Sequence, residues 1–149
     1  MSKPVETVRL AQVHDYQFDV AFGPTVPLLR SDEPAPLGTG TGPSPVQLLA
    51  AAVGNCLSAS LLFALRKYKN QPGPIETTVE AEVGRNAENR LRVLAIRVRL
   101  EIGGDVAALE HLDRVLASFE DFCTVTQSVG QGIPVAVTVV DAQGAVLKG

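Results

Sequence analysis

The stretch that most constrains this chain opens at Gly42-Pro43-Ser44-Pro45 and predicts one long helix closing near Lys69. Ser44 is an N-cap residue type, and Pro45 takes the first helical position, where a missing N–H costs nothing. Gln47 stands three beyond the cap, the spacing of a capping box. No charge occurs from Val46 to Leu65. Apolar residues fall around most of the circumference, which predicts burial on most sides. Arg66, Lys67 and Lys69 put cations at the negative end of the helix dipole, and Pro72-Gly73 stop the helix. Cys56 sits in its middle. A thiol there is either inert packing or chemistry.

A charge-free run of that length is long enough to cross a bilayer. It also carries Gln47, Gly54, Asn55, Ser58 and Ser60, and it is the one such run among strands that alternate as soluble strands do. The expectation is therefore a core helix and no membrane span. The 149 residues suggest one domain, 1–149, able to bury roughly 70% of its unfolded surface. A net charge of -3, with no basic cluster beyond Arg66 to Lys69, argues against nucleic acid as a partner. The opening Met1-Ser2-Lys3-Pro4-Val5-Glu6 lacks the apolar run of a signal peptide. Two cysteines without that run point to the reducing cytoplasm.

Before the helix, Val8 and Leu10 share a parity with Tyr16, Phe18, Val20 and Phe22, interrupted by polar Gln12 to Asp15. That predicts two strands, with Gly23-Pro24 turning into a third at Thr25 to Arg30. Ser31 to Pro43 is a loop by its glycines and prolines, either functional or a mobile connector. After the helix, Ile75 to Val83 and Leu94 to Ile102 alternate, one face apolar and the other carrying acids on one strand and arginines on its partner. They predict an antiparallel hairpin with cross-strand ion pairs. Asp105 caps a second helix through Phe119, Cys123 starts a short helical turn, and strands follow at Ile133 to Val139 and Ala145 to Leu147. The order is α+β, a mainly antiparallel sheet packed on a long central helix and a second helix.

Few residues could carry chemistry. His14 and His111 match no metal spacing, and the two cysteines are too far apart for a CxxC knuckle. Gly38-Thr39-Gly40-Thr41-Gly42 lacks the lysine of a phosphate cradle. No metal and no cofactor is expected. The cysteines remain. Cys123 begins a helical turn, where a helix N-terminus stabilises a thiolate, while burial of Cys56 would raise its pKa. One deep thiol and one beside a loop suit a nucleophile and its resolving partner. Equally, free cysteine often just packs.

At these cysteines the sequence resembles the OsmC/Ohr family. Gly42-Pro43-Ser44-Pro45 to Cys56 is similar to its proline-led helix with a mid-helix cysteine, and Cys123-Thr124-Val125-Thr126-Gln127-Ser128-Val129 to its cysteine-started turn. The resemblance runs from about Phe18 to Val139 and implies an intertwined homodimer that reduces organic hydroperoxides. Cys56 would become a sulfenic acid, Cys123 would resolve it as a disulfide, and an external thiol, in the Ohr branch a lipoyl protein, would reduce that. Apolar helix faces would favour alkyl or fatty-acid hydroperoxides. Ohr proteins carry a glutamate just after the helix-opening proline, holding the arginine that activates the thiolate; here that position is Val46. Arg30 is the first candidate for the arginine and Arg9 the next, with Asp32 or Glu33 orienting Arg30 in place of the glutamate. Two other functions stay open: a non-catalytic protein binding a small apolar molecule, and a cysteine-dependent hydrolase or transferase.

Overall fold

The computed structural model describes residues 2–149. The chain divides after Leu48 into two compact units. In the first, β1 (Arg9–His14), β2 (Gln17–Ala21) and β3 (Leu29–Ser31) form an antiparallel sheet in chain order. The β1–β2 turn places Asp15 at φ 48, in the left-handed region that aspartate tolerates. The third strand starts later than the expected Thr25. Val26 N–H turns back onto the Gly23 carbonyl, and Pro27 has no N–H to give a ladder.

The loop after β3 is irregular but tied down. The Asp32 carboxylate, 2% exposed, accepts bonds from the N–H of Glu33, Thr39 and Thr41 and from both threonine hydroxyls. Five donors hold its pKa far below the usual carboxylate range, with the Thr39 hydroxyl the largest influence and burial opposing. The loop folds so tightly that a Cβ on Gly42 would strike the Arg30 carbonyl. Ser44 and Gln47 then form the expected capping box: Gln47 N–H donates to Ser44 Oγ at 3.2 Å, and Ser44 N–H to Gln47 Oε1 at 2.9 Å.

They open α1 (Pro45–Lys67), which by length and composition could cross a membrane. Instead Val53, Leu57, Leu61 and Leu65 join Ile96, Val98, Leu100 and Ile102 in a single core. Each such side chain contributes about 1.5–3 kcal/mol by leaving water. Gly54 lets the helix approach the sheet, since a Cβ there would stand 2.5 Å from Val79 Cγ2. Burial on most sides does not hold within the chain. Only one row of α1 is buried; Ala51, Ala52, Asn55 and Ala59 are exposed, and Phe63 is 71% exposed. The sheet covers one face of a helix that is apolar on more than one.

β4 (Ile75–Arg85) and β5 (Leu91–Ile102) form the expected antiparallel hairpin, with Arg97 bonded to Glu80 at 3.2 Å and Glu82 at 2.9 Å. β6 (Val135–Asp141) lies parallel to β5, and β7 (Val146–Lys148) antiparallel to β6. The fold is α+β, its sheet order β4-β5-β6-β7 antiparallel except at that one pair. The parallel pair requires a long crossover, which the second helical region supplies. That region is not one helix. Asp105 caps a 3-10 turn at Val106–Ala108, His111 turns left-handed at φ 56, and α2 (Leu112–Ser118) follows. A further 3-10 turn, Phe119–Phe122, leads into α3 (Thr124–Val129). The break is held by Asn70, whose amide donates to the Glu110 carbonyl and accepts from the Glu110 N–H.

Candidate functional site

Both cysteines lie in the second unit and both are free thiols. Cys56 is half-buried, on the edge of the α1 core row next to the exposed stripe. Cys123 is wholly buried, at the N-cap of α3 with an extended backbone. Cys56 packs against the core cluster that contains Cys123, and its thiol lies near enough to bear on the Cys123 thiol. Cys123 Sγ also donates to Thr126 Oγ1 at 3.0 Å. The turn carrying it is fixed by Glu120, whose carbonyl accepts from Cys123 N–H and from Gln127 Nε2, both at 3.1 Å.

The depth of the two thiols is the reverse of the sequence expectation. Cys56, mid-helix, reaches the surface because only one face of α1 is covered. Cys123, at a helix start, lies inside because that turn packs under Phe119 in the core. Its electrostatics change accordingly. Desolvation pushes the Cys123 thiol up, the Cys56 thiol adds to this, and the Thr126 hydroxyl opposes it. A helix of six residues does not overcome complete burial, so desolvation and not the helix N-terminus sets the direction at Cys123.

Sequence similarity decides the family. A family profile described as "OsmC-like protein" matches residues 38–138. The chain belongs to that family. No curated protein matches this OsmC-like chain in sequence. Among solved structures it is similar to an OsmC-like protein of unknown function from Vibrio cholerae. That match has a TM-score of 0.77 and 14% identity, covering 94% of this chain and 100% of the other. An OsmC-like protein from Mycoplasma pneumoniae gives 0.75 at 14% identity, covering 95% and 99%. An organic hydroperoxide resistance protein from Elizabethkingia anophelis gives 0.72 at 18%, covering 94% and 99%. At these identities the likeness is one of fold.

The first unit of this OsmC-like protein holds Arg30, on β3. Its Nε donates to Asp19 Oδ1 at 2.7 Å. Asp19 is its cross-strand partner on β2, so the orienting carboxylate is neither Asp32, whose oxygens serve the loop, nor Glu33. Arg9 is exposed on β1. Val46 is half-buried in a first helical turn that carries no acid. In the second unit, a groove of about 390 Å3 runs between α1 and the start of β4, lined by Asn55, Ser58, Leu62, Arg66, Pro74 and Ile75. Sequence reasoning passed over Thr126 and Glu120. The first had a signal, a hydroxyl three residues beyond a helix-starting cysteine. The second acts through its main-chain carbonyl, which no side-chain pattern reveals.

Proposed function

We propose that this chain is a thiol peroxidase for organic hydroperoxides. The observation that carries the reading is the proximity, in one core, of a surface-reaching thiol, Cys56, and a wholly buried one, Cys123. An accessible nucleophile beside a sequestered partner is what a two-step thiol cycle requires. The Cys56 thiolate attacks the outer peroxide oxygen and the O–O bond breaks. The alkoxide leaves with a proton as alcohol, and Cys56 becomes a sulfenic acid. The Cys123 thiol then attacks the Cys56 sulfur, a disulfide forms, and hydroxide leaves with the thiol proton as water. A dithiol reductant, of the lipoyl kind used in the Ohr branch, returns both thiols. Family membership supports the reading, as does the name of the Elizabethkingia neighbour.

Arg30, oriented by Asp19, is the cation proposed to favour the Cys56 thiolate; a peroxide rate unchanged in Arg30→Ala removes it from that role. The chain acts as a single OsmC-like domain in a cytoplasmic homodimer, with the exposed stripe of α1 covered by the second subunit. The deciding experiment adds about one equivalent of cumene hydroperoxide to the reduced protein and follows intact mass and free thiols. Loss of both thiols and of two hydrogens within seconds, absent in Cys56→Ser, supports the cycle. Both thiols intact after minutes overturns it.

A second reading, binding of a small apolar or amphiphilic molecule without turnover, is favoured by the acid-free start of α1 at Val46 and by the groove beside Leu62 and Arg66. It predicts an inert Cys56 in the folded protein.

A further inference from the structure

The crossover segment that presents Cys123 is gripped from the far edge of the sheet by one side chain. Lys148, on β7, donates from Nζ to the Leu116 carbonyl at 2.6 Å and pairs with Glu120 Oε2 at 2.5 Å. The same ammonium stands 5.3 Å above the Phe119 ring. This is not a loose surface pair, because Lys148 and Glu120 retain only 30% and 27% of their side-chain exposure. Its three partners are consecutive features of one path: the last turn of α2, the aromatic plug of the core, and the residue whose carbonyl holds Cys123 N–H.

Each partner suits a cation. Leu116 O is among the unpaired carbonyls at a helix C-terminus, the Phe119 face attracts positive charge, and Glu120 would otherwise keep a partly buried charge alone. The Glu120 carboxylate held by Lys148 and the carbonyl that fixes the Cys123 turn belong to one residue, so the tether limits how far that carbonyl can move. The cation on β7 and the thiol at the start of α3 are thus mechanically joined through three residues of chain.

We propose that Lys148 is a positioning residue for Cys123, holding the resolving thiol in register with Cys56. The inference rests on the thiol cycle proposed above and assigns Lys148 to its second step alone. Attack of the Cys56 thiolate on the peroxide, which yields sulfenic acid and alcohol, does not involve the 116–123 segment. Condensation of the sulfenic acid with the Cys123 thiol, which yields disulfide and water, needs the two sulfurs aligned. Misplacing a reacting group by about an ångström can cost on the order of a hundredfold in rate.

The test compares the wild-type chain with Lys148→Met and Lys148→Arg. Under cumene hydroperoxide, Lys148→Met oxidises Cys56 at the wild-type rate but forms the disulfide about tenfold more slowly, an effect smaller than full misplacement because the rest of the turn persists. A sulfenic acid trappable by dimedone then accumulates, and Lys148→Arg restores most of the disulfide rate. A second measurement needs no peroxide. The Cys56–Cys123 disulfide is equilibrated against oxidised and reduced dithiothreitol, which reads how well the folded chain presents one thiol to the other. Lys148→Met lowers that equilibrium constant about tenfold. If the wild type ignores peroxide while this shift is seen, the peroxidase reading fails and the positioning role stands. A Lys148→Met chain with an unchanged dithiothreitol equilibrium overturns the positioning role, even if its melting temperature falls.

Discussion

Oxidising the thiol pair should make the protein harder to unfold, by an amount the structure sets. Cys56 and Cys123 are 67 residues apart in the chain yet pack into one core. Closing a loop of that length in the unfolded ensemble is worth about 4 kcal/mol on the chain-entropy account. Against this stands the bond from Cys123 Sγ to Thr126, which a disulfide removes at a cost of about 1 kcal/mol. The net is about 3 kcal/mol in favour of the oxidised form, or a rise of about 6–12 °C in melting temperature for a chain of this size. The assay is thermal unfolding of diamide-oxidised and fully reduced protein at equal concentration, with one intramolecular disulfide verified by mass. Cys56→Ser, treated in the same way, should show no difference. An oxidised wild type that melts at or below the reduced form refutes the reasoning, because it means the native fold must distort to bring the sulfurs into bonding distance.

Other perturbations probe other parts of the fold. Leu57→Ala, at a fully buried position of the α1 core row, should cost about 2–5 kcal/mol in urea unfolding. Removing the Asp32 carboxylate should change the acid limb of stability. Its folded pKa is depressed, so its contribution is present above the unfolded value of about 3.9 and is lost as pH falls through the folded value. Asp32→Asn should therefore be less stable at neutral pH and show a shallower loss between pH ~5 and ~2, read by denaturant midpoints across that range. Thr126→Val removes the hydroxyl that lowers the Cys123 thiol without taking away the Thr126 main chain, which also lowers it, or the buried setting that raises it. Alkylation of Cys123 in a Cys56→Ser background should then need higher pH than with Thr126 present.

Much of this was legible in the sequence, and the failures have physical causes. Ser44, Pro45 and Gln47 announce the start of α1 because capping is local chemistry, settled within four residues. The β4–β5 hairpin and its Arg97 ion pairs follow from strict alternation. How much of α1 would be buried could not be read so, because periodicity shows which faces are apolar and not how many layers exist to cover them. The same gap inverted the depths of Cys56 and Cys123. The apolar spacing from Val106 to Phe119 is helical in period, but it does not register that Asn70, 40 residues from Glu110 in the chain, captures main-chain groups at the break. Arg30 found its carboxylate across the strand pair, at Asp19, and not along the loop where the sequence suggested one.

The parallel pairing of β5 with β6 has a consequence for how the molecule assembles. Ile96 and Val135 are in register across 39 intervening steps of chain, whereas the β4–β5 ladder zips outward from a short turn. Loop-closure entropy delays such non-local pairing, so the hairpin should form early and β6 should dock late. Cys123 lies within the segment that waits. During synthesis Cys56 emerges first and spends that interval without its partner, and the two sulfurs meet only when the last strands close the sheet. A chain built in this order cannot bring its two thiols together before its fold is nearly complete. Pulse-labelling hydrogen exchange during refolding should show β4 and β5 amides protected ahead of those of β6 and β7.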